Sequence, residues 1–248
     1  MEGRLVVGVR FWEKNPEKIS VIEKFIDEAL KTDVYKIIIA INIDEDKTDS
    51  VKKIKAKYNE KRVKVFGVTP WGRFITPCNV LMLEAIQAGA THLVTASAEV
   101  ILNQLIIDEL MHHMDDMTLM AGAALEGHDL QNGLIKNANG IQFPWGTCAI
   151  WNLRYLGVTG ISLIGDAPFS PINAGVEEMV SLTILQNLYP ETFIKLVEID
   201  GIKWNTNFQG ERLKKHLKKM QSKKERPESQ FQWAGLTIRP IVLHIRKR

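Results

Sequence analysis

Three acid-bearing stretches stand out as able to do chemistry. Ser97-Ala98-Glu99 leaves the apolar run of His92 to Thr95 and precedes an amphipathic helix that begins at Asn103. Asp44, Asp46 and Asp49 follow the buried run YKIIIAINI, and Glu177-Glu178 opens a helix behind a Gly-containing loop. Carboxylates in such places can ligate a hard cation, accept from an N–H donor, or take a proton as a general base. Mg²⁺ or Mn²⁺ keeps several waters and needs only one or two protein carboxylates. Glu99 therefore suffices as a metal ligand, with Ser97 acting through water. Each stretch also has a plain structural reading. Asp49 caps a helix, Glu99 is a first-turn acid, and two Glu residues at a helix N-terminus complement its dipole.

The elements that position these residues follow from periodicity. Leu5 to Phe11, Tyr35 to Ile43, Val63 to Val68 and His92 to Thr95 read as buried strands. Helices between them start near Pro16, run from Ser50 to Tyr58, and run from about Asn79 to Ala88, where Gly89 closes the last of the three. Alternation without hairpins predicts a parallel, doubly wound sheet. With right-handed crossovers, the loops at Arg10–Glu13, Asp44–Asp49 and Ser97–Glu99 open on one edge, where such sheets bind ligands.

The second half is less regular. A strand is expected at Thr118 to Leu125, a polar stretch follows to Gly140, and Gly157 to Gly175 reads as loop. A helix runs from Val176 to about Leu188, and Phe193 to Ile199 is the last strand of the body. Gln209 to Arg226 reads as a basic helix, and Pro240 confines the final strand to a sheet edge. The expected division is 1–205 for the body and 206–248 for a basic helical extension with a short edge strand.

Together these segments resemble the GT-A glycosyltransferases, specifically the large family 2 of inverting enzymes. Ile43 to Asp49 resembles that family's VDDGSTD segment. Asn79, Leu83, Ala85 and Gly89 resemble its RNxGxxxAxG helix. Ser97-Ala98-Glu99 stands where its DXD motif belongs, and Gly175 to Met179 stands where its ED motif does. The resemblance covers roughly residues 4 to 200, with three departures. Ser97 and Glu99 replace the two Asp residues of DXD, Cys78 replaces an Arg, and the acidic pair is Glu-Glu.

The resemblance implies an α/β, GT-A (nucleotide-diphospho-sugar transferase-like) fold with a mostly parallel sheet flanked by helices. It implies transfer of a sugar from a UDP- or GDP-type donor to an unidentified acceptor, with inversion and a Mg²⁺ or Mn²⁺ cofactor. The roles it implies are Glu178 as base beside Glu177, and Asp44, Asp46, Ser97 and a stacking Trp12 for the nucleotide. Trp145, Gly146 and Thr147 would face the donor or acceptor sugar, and Glu99 would anchor the metal. Trp12 reads equally as a lid on the sheet, and Trp145 as core. A rival of another class is a non-catalytic GT-A-fold protein that binds a nucleotide or a partner protein. A nucleotidyltransferase would want a Gly-rich basic loop after the first strand, which FWEKNP does not provide.

Composition bounds the remainder. An apolar share of 45% and a charged share of 25% are those of a globular protein, and no apolar run is long enough for a membrane span. From Thr206 onward 12 Lys or Arg face 3 Glu, so the net +3 is an acidic body with a basic tail. That tail, 211–226, carries Leu213, Leu217 and Met220 on one side and suits an anionic membrane surface or plain solvation. No nucleic-acid-binding fold is recognised. Lone Cys78 and Cys148, with no signal-peptide layout, point to the cytoplasm, with peripheral contact at the inner membrane face. His112, His113, Asp115 and Asp116 read as a solvated helix end rather than a second metal site.

Overall fold

In the computed structural model, residues 4–12, 19–44, 48–168 and 173–247 are described. Strands β1 (Leu5–Phe11), β2 (Lys36–Asn42), β3 (Val63–Val68) and β4 (His92–Ala96) are parallel to one another. Helices α1 (Ile19–Ala29), α2 (Asp49–Lys57) and α3 (Ile75–Gln87) connect them. The second half adds α4 (Gln104–His112), β5 (Thr118–Ala123), β6 (Gly133–Lys136), β7 (Cys148–Asn152), α5 (Leu153–Thr159), α6 (Glu177–Leu188) and β8 (Phe193–Val197). Helices α7 (Gly210–Gln221) and α8 (Arg226–Trp233) then lead to β9 (Ile241–Ile245).

Among the described residues the nine strands join one sheet in the order β3-β2-β1-β4-β7-β5-β8-β9-β6. The expected parallel core is present, but β7 runs antiparallel between β4 and β5. From β1 the chain first builds outward through β2 and β3, then returns to place β4 on the other side of β1. This reversal is a topological switch point, and it opens a crevice at the carboxyl ends of β1 and β4.

Alternation along the strands divides the core in two. Val7, Val9, Phe11, Ile37, Ile39 and Ile41 face one layer, packed with Ile22, Phe25 and Ile26 of α1. Val6, Ile38 and Ala40 face the other layer, packed with Leu81 and Ala85 of α3. Gly8 lies on that second face, where an added Cβ would stand 3.0 Å from Leu93 Cδ1 and 3.3 Å from Leu81 Cδ1. The missing side chain lets α3 sit close to the sheet.

Several boundaries differ from expectation. Helix α3 begins at Ile75 rather than Asn79, because Pro77 falls in its first turn, where no N–H is missed. The polar stretch before Gly140 contains β6, and the stretch read as loop contains a 3₁₀ turn at Leu163–Asp166. The final strand is not at the edge: β9 pairs parallel with β8 and antiparallel with β6. Pro240 precedes it, so no ladder donor is lost.

The basic extension folds back onto the body. An added Cβ at Gly140 would lie 1.9 Å from the Lys223 carbonyl oxygen, so only glycine allows the chain to pass there. Buried Gln230 of α8 donates to the carbonyls of Asn173 (2.6 Å) and Gly175 (2.8 Å), bracing the approach to α6. No helix among the described residues is long and apolar enough to cross a membrane.

Candidate active site

The crevice at the switch point is a cleft of about 900 Å³, within the range of small-molecule sites. Arg10, Phe11 and Trp12 line it from the end of β1, and Ser97 to Glu99 from the end of β4. Gly146 and Thr147 close one side, and residues of the 204–208 segment and α7 form the opposing wall. The loop after β4 is fixed at both ends. Ser97 N–H donates to the Thr147 carbonyl (2.8 Å), and Asn205 N–H donates to that of Glu99 (2.9 Å). The second of these bonds brings α7 over the cleft.

Glu99 is fully engaged. Ser97 Oγ donates to Oε2 in a short hydrogen bond, and Arg212 Nη2 lies 2.6 Å from Oε1. Arg212 also sits 3.9 Å above the centre of the Phe208 ring, which restrains it.

The acidic pair lies deeper. The chain enters α6 through Gly175 (φ +96°) and Val176 (φ +57°, ψ +42°). A left-handed β-branched residue is strained, by about 1–3 kcal/mol, and such strain clusters at functional sites. Glu177 and Glu178, the next two residues, are both buried. Glu177 Oε1 pairs with Arg10 Nη2 at 2.8 Å, and Arg10 Nη1 donates to the Phe74 carbonyl (2.9 Å) and to Cys78 Sγ (3.3 Å). Burial pushes the Cys78 thiol up to about 12, so it stays neutral beside the guanidinium. Burial also opposes ionisation of Glu177, but Arg10 outweighs it and holds that carboxyl below the usual range.

Glu178 is different. Its Oε1 accepts from Gly146 N–H (2.5 Å), while Oε2 is buried without a partner. Burial and then the neighbouring Glu177 charge raise its pKa to about 7. An added Cβ at Gly146 would stand 3.0 Å from Glu178 Oε1, so glycine there keeps the backbone donor close. Lys223, 7% exposed, lies with Nζ 2.8 Å from the centre of the Trp145 ring. Burial pushes its ammonium down to about 6.

Of the residues singled out from sequence, Trp12, Ser97, Glu99, Gly146 and Thr147 line the cleft together. Trp12 is 52% exposed at its mouth. Glu177 and Glu178 lie behind the Arg10 and Gly146 walls. Trp145 is core: its Nε1 donates to Gly140 O (2.8 Å), and His128 stacks on its ring at 3.6 Å. Asp44 stands at the same sheet edge beyond the cleft lining and accepts from Trp71 N–H at 3.2 and 3.3 Å. Asp46 lies outside the described residues. Asn79, from the helix motif, exchanges two amide bonds with Ile161, at 2.9 and 2.8 Å. Of the solvated-end group, Asp115 pairs with Lys195 Nζ at 2.9 Å.

Three residues escaped the sequence reading, which places Arg10 at the binding edge without its partner Glu177. Arg212 pairs with Glu99, Lys223 contacts Trp145, and Asp166 caps α3 by accepting from the N–H groups of Phe74 (2.5 Å) and Ile75 (3.0 Å). Only the charge imbalance of the tail hinted at any of them.

A metal ion fits poorly among these side chains. Both oxygens of Glu99 are already occupied, one by a guanidinium.

No family model matches the sequence, and no curated protein sequence matches it significantly. Solved structures do match. Mannosyltransferase PcManGT from Pyrobaculum calidifontis, in complex with GDP-Man and Mn²⁺, superposes with TM-score 0.53 at 13% identity, over 75% of this chain and 52% of that one. S. aureus TarS 1–349 in complex with UDP-GlcNAc gives 0.53 at 12% identity, over 85% and 60%. The 4-diphosphocytidyl-2C-methyl-D-erythritol synthase from Anaerococcus prevotii DSM 20548 gives 0.51 at 11% identity, over 88% and 99%. The chain thus spans between half and two thirds of the length of the first two. At such identities the likeness establishes architecture alone. With its mostly parallel sheet, flanking helices and switch-point cleft, the chain has the GT-A, nucleotide-diphospho-sugar transferase-like fold.

Proposed function

We propose that the chain is a glycosyltransferase that moves a sugar from a nucleotide-diphosphate donor to an acceptor hydroxyl with inversion. The observation that carries this reading is Glu178. It is a buried carboxyl with one oxygen held by Gly146 and the other unpartnered, raised to about 7 behind the Gly146 wall of the fold's ligand cleft. A general base works best with a pKa near the working pH.

In this reading the acceptor oxygen attacks the anomeric carbon as the bond from that carbon to the diphosphate breaks. The bonding pair leaves on the diphosphate oxygen, and the acceptor proton passes to Glu178 Oε2. Glu177 stays ionised against Arg10, and its charge keeps Glu178 basic. Trp12 stacks on the base at the cleft mouth, with Ser97 on the nucleoside side and Asp44 at the same sheet edge. Gly146 and Thr147 face the sugar, and Trp145 supports them from the core. Because Oε2 is buried, the acceptor reaches it only after a local opening.

A role for Glu99 in anchoring Mg²⁺ or Mn²⁺ has the Mn²⁺ complex of the mannosyltransferase in its favour, and it requires Arg212 to withdraw. A UDP- or GDP-type donor is in keeping with the GDP-Man and UDP-GlcNAc complexes of those structures. Leu213 and Leu217 stay exposed on α7 beside Lys214 and Lys218, a layout suited to an anionic membrane surface. Co-sedimentation with phosphatidylserine vesicles tests that contact.

The second reading, a non-catalytic GT-A-fold protein binding a nucleotide or partner protein, is favoured by the occupied Glu99 and the enclosed Glu178. One experiment separates the two: nucleoside diphosphate release from a panel of UDP- and GDP-sugars, with the wild type and Glu178→Gln. Release by the wild type and its suppression in the variant support the transferase. Binding of a nucleotide sugar without turnover supports the second reading.

A further inference from the structure

The carboxylate at the expected metal position is neutralised by the chain's own cations. The described residues lining the cleft include five Lys or Arg, namely Arg10, Lys24, Arg212, Lys215 and Lys219, against only Glu28 and Glu99. Arg212, Lys215 and Lys219 follow one another along a single flank of α7, at i, i+3 and i+7. That flank is turned to the cleft, while Leu213 and Leu217 are 38% and 52% exposed. The helix therefore presents its charge, not its apolar stripe, to the cavity.

Such a wall is matched to an anion. A leaving nucleoside diphosphate gathers negative charge as its bond to the sugar breaks, and cationic side chains can stabilise it as a metal does. A guanidinium has five donors in a planar fork. The bond to Glu99 uses one of them and leaves others for phosphate oxygens, which Arg can bind bidentately. Ser97, Phe208 and Asn205 together fix the geometry of the Arg212–Glu99 pair.

We propose that α7 supplies the diphosphate clamp of this cleft, with Arg212, Lys215 and Lys219 binding the diphosphate in place of a divalent cation. Glu99 is then a positioning residue for Arg212. The proposal rests on the reading of the cleft as a nucleotide-donor site.

The test is calorimetric titration of UDP, GDP, ADP, CDP and dTDP into the full chain, once in EDTA and once in Mn²⁺. At least one nucleotide is expected to bind in EDTA, with less than about a twofold change on adding Mn²⁺. Arg212→Gln and Lys219→Gln should each weaken binding about tenfold, the loss of one charge-assisted contact. Arg212→Lys should recover part of that loss, and Glu99→Gln should weaken binding less than Arg212→Gln. Arg212 and Lys219 are exposed residues of α7, so thermal unfolding of their variants should stay close to the wild type.

Binding that requires Mn²⁺, is lost in Glu99→Gln and survives in Arg212→Gln would overturn the clamp and leave the transferase reading intact. Metal-independent binding indifferent to all three α7 residues would also overturn it. Failure of every nucleotide under both conditions would overturn the clamp and the donor reading together.

Discussion

Replacing Glu178 with Gln keeps the shape of the side chain and the oxygen that accepts from Gly146, but removes its charge. Two consequences of opposite sign follow. Folding raises this carboxyl from 4.5 to about 7. At about 1.4 kcal/mol per pH unit, the buried carboxylate costs the folded state about 3 kcal/mol once fully ionised. Below pH 4.5 the group is protonated in both states and this cost is absent. It grows as pH rises and is complete above about 7. Glu178→Gln should therefore match the wild type at pH 4.5 and exceed it by about 3 kcal/mol at pH 8.5. Lys223 contributes the opposite trend, because its lowered pKa makes stability rise with pH between about 6 and 10.5. The two groups interact through their charges, so the variant also pushes the Lys223 ammonium further down, and the difference from wild type carries both effects. The assay is urea unfolding across the pH range. The same variant should lose about 10²- to 10⁴-fold in donor turnover if the carboxylate is the base. Parallel stability curves would refute the desolvation argument, and an active variant would refute the base.

Three further outcomes are expected. Turnover should rise with pH through about 7 as Glu178 loses its proton, and a flat profile from about pH 5.5 to 8.5 would count against its role. Arg10→Met strands Glu177, whose side chain is only 8% exposed, and should cost about 3–5 kcal/mol in urea unfolding. Adding Glu177→Gln should return part of that loss. Asn79→Ala removes both bonds to Ile161 and should cost about 1–3 kcal/mol while leaving nucleotide affinity unchanged in calorimetry.

The parallel core was legible because β1, β2 and β4 are buried on both faces and appear as unbroken apolar runs. The approach to Glu177-Glu178 was legible too, since Gly175 before an acidic helix start is a local pattern. Pairing across the chain was not. Nothing local to Arg10 announces a partner at Glu177, nor does anything near Ile75 announce Asp166 as its cap. How the tail seats on the body was not legible. Of its apolar stripe Met220 packs against the core while Leu213 and Leu217 stay exposed, and Arg212, Lys215 and Lys219 line the cleft. Pattern gives a helix two faces, and only the body it meets decides which is covered. The short β6 was hidden by its polar surroundings and its half-exposed side chains, and among the described residues it pairs with β9 alone.

That last pairing bears on how the molecule is made. Strand β6 emerges from the ribosome long before β9, and among the described residues it has no other neighbour in the sheet. Until the chain has been synthesised to Ile245, β8 also presents an open edge where β9 will insert. Contacts of such high sequence separation form late and slow folding. The unfinished protein thus carries an unpaired strand and an exposed sheet edge, both open to mispairing with other nascent chains. A gene truncated after residue 205 would leave both defects in place permanently.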